Sequence, residues 1–400
     1  PLRLLRICSP PAQHPSLPSS PIFFEASFAL LPLVPPSPCN CQRVSSAPQD
    51  GGGRPSSAAS LGSGEKADAE DRRRGCYWLQ VVKNAVTHVQ FHPSSDRLLL
   101  AAADKSGHVG LWDVNNAEGI AEDGVLLFKP HLQYVSGLRW AGAPSGGSCQ
   151  LYSCSYDGSV RRLDPETAQF LEVYGSDEDE YSAMDLARDG SILYIGDNDG
   201  ACHVVDSRMG SAVSSVQLHL KKLNTVSLEP GEERVLATAT GDGTVRVWDV
   251  RKLAPGVKPL ATLPHQKSVQ SAVFDPSCSG RLLSTSYDDK LTIWEPTPSR
   301  AASEGWLSSG KSAQRAASIK HNNQTGRWIL PFRAVWAPAG DGLLVGSMDR
   351  SLEVFSAAGS KLSKHSNAEL MTAIPARNHV HPLLAAVAGG TGSGRVHLFR

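Results

Sequence analysis

Ala237-Thr238-Ala239-Thr240-Gly241-Asp242-Gly243-Thr244-Val245-Arg246-Val247-Trp248-Asp249-Val250-Arg251 reads as a β-hairpin closed by Trp-Asp and followed by an arginine. In the two-residue turn Asp242-Gly243, glycine supplies the positive φ that a twisted hairpin needs. Thr244 to Trp248 alternates with the period of two of a strand whose faces meet different surroundings. One hairpin cannot bury a core, so what matters next is whether the pattern repeats.

It repeats along most of the chain. Asp157, Asp199, Asp288 and Asp349 each stand six positions before an apolar residue, Leu163, Val205, Trp294 and Phe355, as Asp242 stands before Trp248. Weaker copies place Ser106-Gly107 before Trp112 and Ser393-Gly394 before Phe399. The seven closing residues (112, 163, 205, 248, 294, 355, 399) are spaced by 51, 42, 43, 46, 61 and 44 positions. A period of about 40–45 residues with a Trp-Asp ending marks a WD-repeat β-propeller. The expected fold is all-β: a seven-bladed WD-repeat propeller over residues 76–400, behind a tail over residues 1–75.

Each blade needs four strands. In blade 4 they are expected at Asn224–Leu228, Val235–Thr240, Thr244–Asp249 and Leu260–Leu263. The final repeat shows no outer strand after Arg395–Phe399. Tyr77–Val82 has strand character and is expected to pair with that strand, closing the ring and removing its exposed edges. His265, Ser284 or Ser286, Asp288 and Trp294 fall where a WD repeat hydrogen-bonds its own strands, so they are read as architecture. The turn aspartates 157, 199, 242 and 349 are read the same way.

Composition excludes several classes. Lys and Arg number 39 and Asp and Glu number 39, so bulk charge names no partner and any nucleic-acid binding must come from a local patch. The cysteines at 8, 39, 41, 76, 149, 154, 202 and 278 form no Cys-x-x-Cys pair. They read as reduced thiols of a nuclear or cytosolic protein without a metal site. No nucleophile elbow, phosphate loop or zinc-protease motif is present, so neither catalysis nor a cofactor is expected. Residues 1–75 are rich in Pro, Ser and Gly and are expected to be disordered. Arg3 and Arg6 precede an apolar run, Ile22 to Val34, which Glu25 and prolines interrupt and which is too short to span a bilayer. The acidic run Asp177–Glu180 reads as a solvated loop, with Ser176 beside it a conceivable kinase site. Asn323-Gln324-Thr325 is formally a glycosylation sequon.

Two features stand out from the repeat. Asp206-Ser207-Arg208 and Trp248-Asp249-Val250-Arg251 place an arginine at the same point of adjacent blades, and an Arg fork suits carboxylate or carbonyl partners. The longest spacing, between blades 5 and 6, holds a Ser/Ala/Gly-rich loop, Pro296–Ser318, and then Ile319-Lys320-His321-Asn322-Asn323-Gln324-Thr325-Gly326-Arg327-Trp328. Lys320, His321, Asn322, Asn323, Gln324, Arg327 and Trp328 combine charge, amides and an aromatic plane, a mixture suited to phosphates and bases. Lys221, Lys222, Lys267 and Arg333 lie near other blade entrances and complete the candidate DNA-contacting set.

The stretch Ile319–Trp328, followed by Phe332-Arg333-Ala334-Val335-Trp336, resembles the WD repeat-containing protein 76 branch of the damage-specific DNA-binding protein 2 family. The resemblance spans about residues 76–400. It implies a nuclear, monomeric seven-bladed propeller acting in DNA damage response, with duplex DNA on one face. It implies a cullin-4 ligase adaptor, damage-specific DNA-binding protein 1, on the other side, with Asp206, Arg208, Trp248, Asp249 and Arg251 as the docking set. It also implies a duplex-probing hairpin near His321–Trp328. Here that position carries Asn322, Asn323 and Gln324 in place of the aromatic-glutamine-histidine probe of the family's damage-recognition member, which favours general or modified DNA over photolesions. The other reading is a protein-interaction scaffold, a ligase substrate receptor or histone-peptide reader without direct DNA binding.

Overall fold

The computed structural model describes residues 76–116, 123–142, 149–297, 305–307 and 313–400. Seven four-stranded antiparallel sheets are arranged as the blades of a propeller. Blades 1 to 6 are built consecutively, with inner strands Val86–Phe91, Val135–Ala141, Tyr181–Leu186, Leu223–Leu228, Val269–Phe274 and Val335–Trp336. Blade 7 takes its three inner strands, Pro375–Val380, Val387–Thr391 and Arg395–Phe399, from the end of the chain and its outer strand, Cys76–Gln80, from before blade 1.

The closing strand is shorter than the expected Tyr77–Val82. It pairs antiparallel with Arg395–Phe399, Tyr77 opposite Leu398 and Gln80 opposite Arg395. Val81 and Val82 leave the ladder and donate their N–H groups to the Gly394 carbonyl instead, at 3.1 and 3.3 Å. Tyr77 packs edge-on against Trp112 of blade 1 at 5.8 Å, so one strand ties the last blade to the first. Blade 4's outer strand is Ala261–Pro264, one residue later than expected.

The recurrent turn has one backbone solution. Gly107, Gly158, Gly200, Gly243 and Gly394 have φ between 74° and 93°, and Asp289 and Arg350 stand at the same point with φ of 61° and 63°. A Cβ on Gly107 or Gly158 would collide with the backbone carbonyl of His131 or Ser176, so these turns need glycine for space as well as for φ.

The core is a ring of clusters between blades, each built from alternate strand residues. One cluster joins Val245, Val247 and Leu263 of blade 4 to Val269, Phe274 and Leu282 of blade 5. Several polar groups inside this ring are paired in a recurring set. Trp248 Nε1 donates to Thr238 Oγ1 at 2.8 Å, and His219 Nε2 lies 2.8 Å from the same hydroxyl. Blade 5 repeats the set: Trp294 Nε1 donates to Ser284 Oγ at 2.8 Å, while His265 bridges Ser284 (2.9 Å) and Asp288 (3.2 Å). Ser284 is therefore the serine of this set, and Ser286 donates instead to the carbonyls of Lys267 and Ser268. In blades 1 and 3 the job passes to aspartates two positions before the turn. Asp104 holds His108 at 3.0 Å and Asp197 holds His203 at 3.0 Å, so the Asp199 that the repeat pattern marked is replaced by Asp197.

The thiols of Cys154 and Cys202 are buried and free, and burial pushes both up to about 12. The expected tail over residues 1–75 lies outside the described residues. Among the described residues no helix is long and apolar enough to cross a membrane.

Candidate functional site

Strand alternation divides the connections between two faces. The second-to-third strand turns and the links to the next blade emerge on one face, here the turn face. The first-to-second and third-to-fourth connections emerge on the opposite face.

On the turn face, six of the seven links carry an N–H that reaches the turn of the blade they leave. His131, His219, His265 and His321 donate to the carbonyls of Gly107, Gly200, Gly243 and Asp289 at 2.8–3.2 Å. His321 thus occupies the architectural histidine position. It is buried at 6% exposure, 2.7 Å from Asn323 Oδ1 and edge-on to Phe332 and Phe355. Asn323 is buried too, at 1%. Its N–H donates to Asp289 Oδ1 at 2.9 Å and its amide to the Ser286 carbonyl at 2.8 Å. Both residues were expected to contact DNA, but both are buried and their hydrogen bonds fasten the link. The buried Asn323 also leaves the sequon closed. No hairpin forms at His321–Trp328, because the preceding strand ends at Lys320 and the next begins at Val335.

Other members of the expected set are exposed on this face: Lys221, Lys267, Lys320, Asn322, Gln324, Arg327 and Trp328. Trp328 is 86% exposed, and the Arg327 guanidinium lies over its ring at 5.5 Å. Gln324 donates to the Tyr287 carbonyl at 2.6 Å and to Asp289 at 3.1 Å. Two cavities flank this link. One, about 400 Å³, is lined by Lys267, Tyr287 and Gln324. The other, about 420 Å³ and mainly apolar, lies among Trp328, Leu330, Arg350 and Ile374.

Sequence reasoning missed Lys83, Lys105 and Arg350, which are exposed on the same face, and Leu132 and Leu220, exposed at 83% and 92%. The signal was available: both leucines directly follow the architectural histidines 131 and 219, the position that Asn322 holds after His321. Asp177–Glu180 lies on the same face between blades 2 and 3. The turn face thus has an acidic sector at Asp177–Glu180, and elsewhere its exposed lysines and arginines stand among the turn aspartates Asp199, Asp242 and Asp349. Asp179, Asp197 and His203 bring three potential ligand atoms within 4.8 Å, but Asp197 is already engaged by His203 and by the N–H groups of Asp199 and Ala201.

Lys222 and Arg333 leave the rim. Lys222 turns inward over the Tyr156 ring at 4.6 Å and donates to its hydroxyl. Burial, with Arg333 nearby, pushes its pKa down to about 8. Arg333 projects into the axial channel, where it donates to the Asn224 carbonyl at 2.8 Å. Neither is placed to meet a duplex backbone.

On the opposite face, Asp206 and Asp249 end third strands and are nearly buried. Arg208 forks onto Asp206 (3.2 and 2.8 Å) and Arg251 onto Asp249 (2.9 and 2.9 Å). The Arg208 hydrogen bond holds the Asp206 carboxyl down at about 2. The side chains of Arg208 and Arg251 are 76% and 52% exposed. Trp248, assigned to docking from its motif, is 2% exposed and committed to Thr238, so it offers no surface. The insertion falls within blade 5, between its third strand, Lys290–Pro296, and its fourth, so it opens on this face. Its last part is not loop as expected, because Ala313–Lys320 forms the blade's outer strand and buried Trp306 donates to the Gly280 carbonyl at 2.7 Å.

The family model "WD domain, G-beta repeat" matches residues 210–249 and 257–295. WD repeat-containing protein 76 of Xenopus laevis is 35% identical over 361 residues, 86% of this chain and 60% of that protein. The Mus musculus protein of the same name is 37% identical over 330 residues, 80% of this chain and 50% of that protein. DNA damage-binding protein CMR1 of Coccidioides immitis is 33% identical over 356 residues, 80% of this chain and 66% of that protein. The chain thus corresponds to between half and two thirds of the length of these relatives.

Proposed function

This chain belongs to the WD-repeat proteins and is a homologue of WD repeat-containing protein 76, and from that premise we propose that it is a non-enzymatic, nuclear DNA-binding propeller of the DNA damage response. The observation that carries this reading is the exposed set Lys221, Lys267, Lys320, Arg327 and Trp328 on the turn face. The cations neutralise phosphates, which positions the duplex without reading its sequence. Asn322 offers its NH2 group and Gln324 its side-chain oxygen to base edges, and Trp328 offers a face for stacking. The mainly apolar cavity beside Trp328 and Arg350 is where an unstacked or modified base is received. The DNA path avoids the Asp177–Glu180 sector, whose carboxylates repel phosphates. The name of the CMR1 relatives points the same way.

A salt-titrated binding assay on the chain tests this. Replacing Lys221 or Lys267 by Ala is expected to weaken binding across sequences and to lower the salt slope by about 1. Absence of salt-dependent DNA affinity at low ionic strength sinks the reading.

A second activity, docking on a cullin-4 ubiquitin-ligase adaptor, is favoured by Arg208 and Arg251, which stand exposed and fixed on the face away from the DNA set. The double variant Arg208→Ala, Arg251→Ala is expected to lose adaptor pull-down while keeping DNA binding; retained pull-down refutes the docking role.

A further inference from the structure

Arg333 reaches from blade 6 to the Asn224 carbonyl of blade 4 and comes within 3.5 Å of His88 Nε2 of blade 1. A side chain that touches blades on both sides of its own lies across the channel axis. Arg377 of blade 7, 5% exposed, donates to the carbonyls of Thr87 (2.8 Å) and Ala376 (3.1 Å) and to that of Pro331. Both guanidinium groups therefore converge on Thr87–His88, and their hydrogen-bond partners among the described residues are neutral oxygens and the His88 nitrogen. Arg333 Nε is buried and has no partner among the described residues.

The surrounding charges do not balance this pair. Arg139 is matched by Asp185 at 3.1 Å. Burial, reinforced by Arg333, Arg377 and Arg139, holds His88 well below its usual pKa, so it is neutral. Glu180 opposes Lys222. Around the mouth stand Tyr134 and Tyr156, stacked at 5.0 Å, which present phenol groups toward the cations. Arg377 is buried, and Arg333 is half-buried with its Nε enclosed; two charges so placed without counter-ions are costly unless something neutralises them.

We propose that the axial channel binds one phosphate-class oxyanion between Arg333 and Arg377, with Lys222 and the Tyr134–Tyr156 pair at its mouth. A phosphate monoester or inorganic phosphate carries about −1.5 to −2 charges and three or more acceptor oxygens. That matches two guanidinium forks, whereas a monocarboxylate neutralises only one. The site does not depend on the DNA reading, because a duplex cannot enter a channel that one arginine side chain spans. Burial pushes the Arg333 pKa down to about 9, with Arg377 adding to it; a bound dianion reverses that pressure.

Titration of the chain with inorganic phosphate against chloride at matched ionic strength, followed by calorimetry, tests the proposal. One saturable site is expected. Arg333→Met is expected to weaken it by about tenfold or more, the scale of one charge-assisted contact. Lys222→Met, at the partly exposed mouth, is expected to weaken it several-fold with an unchanged melting temperature, and it decides the matter if Arg333→Met does not fold. A second titration with phenyl phosphate identifies the source: binding shows that a monoester is admitted, and exclusion restricts the site to the free ion. No saturable phosphate binding, or identical binding in wild type and folded Lys222→Met and Arg333→Met, overturns the proposal. DNA affinity measured on the same variants keeps this outcome separate from that of the turn-face reading.

Discussion

At the residue scale, the seven equivalent turn positions differ in what they tolerate. Gly107 combines φ of 87° with a carbonyl where a Cβ would sit. Gly107→Ala is therefore expected to cost at least ~2 kcal/mol, the left-handed penalty plus displacement of backbone. Arg350 bears the same conformation with a side chain attached. Arg350→Gly relieves that strain and is expected to stabilise by up to ~1 kcal/mol, while weakening DNA binding if Arg350 contacts phosphate. Denaturant midpoints of the two variants must move in opposite directions. Asp289 shares the strained φ but accepts from Asn323 and Gln324, so replacing it by Gly loosens the link that carries Arg327 and Trp328.

At the element scale, Cys76–Gln80 carries more weight than its five residues indicate. It supplies blade 7's outer strand, and Tyr77 lies in the cluster that joins blades 7 and 1. Deleting residues 76–83 is expected to cost at least ~3 kcal/mol, the scale of losing one buried aromatic, and to expose a strand edge. Thermal melts should show a lower transition and concentration-dependent association; an unchanged melt refutes closure by this strand. The link over residues 321–334 shows how an element can be located from sequence yet misjudged in detail. Its place between blades was legible from the spacing. That alternate residues His321, Asn323 and Thr325 turn inward was not, because the partners of His321 and Asn323, Asp289 and the Ser286 carbonyl, lie more than thirty positions away.

At the scale of the whole molecule, buried histidines set the acid limit. Burial pushes His219 down to about 4, with Arg246 adding to the effect and Asp242 opposing it. Burial likewise takes His397 and His92 to about 4 and His379 to about 3. In the unfolded chain these side chains titrate near 6.5. As pH falls from about 6.5 to about 4 the unfolded state therefore takes up protons that the folded state refuses, and stability declines there at up to ~1.4 kcal/mol per pH unit for each histidine. Above about pH 7 these groups contribute no slope. Urea midpoints measured from pH 8 to pH 4 check this, and His219→Gln is expected to give a shallower acid limb.

The period of Asp-Gly turns and closing Trp, Leu, Val or Phe residues was enough to determine the seven blades, the all-β class and the closing strand, because alternation and turn chemistry are local and recur. The alignment of Arg208 with Arg251 was equally legible, since equal offsets from equal strands end on one face. What only the tertiary structure decided is which polar residues have already found a partner. His321, Asn323, Trp248, Lys222 and Arg333 read from sequence as available side chains, yet folding directs four of them to hydrogen bonds on other strands or blades and Trp248 to Thr238 across its own hairpin. The same packing brought Lys83, Lys105 and Arg350 to the face of Lys221 and Lys267, and drew Arg333 of blade 6 and Arg377 of blade 7 to one axis. Side-chain availability depends on contacts between residues far apart in the chain, and a repeat period carries no record of them.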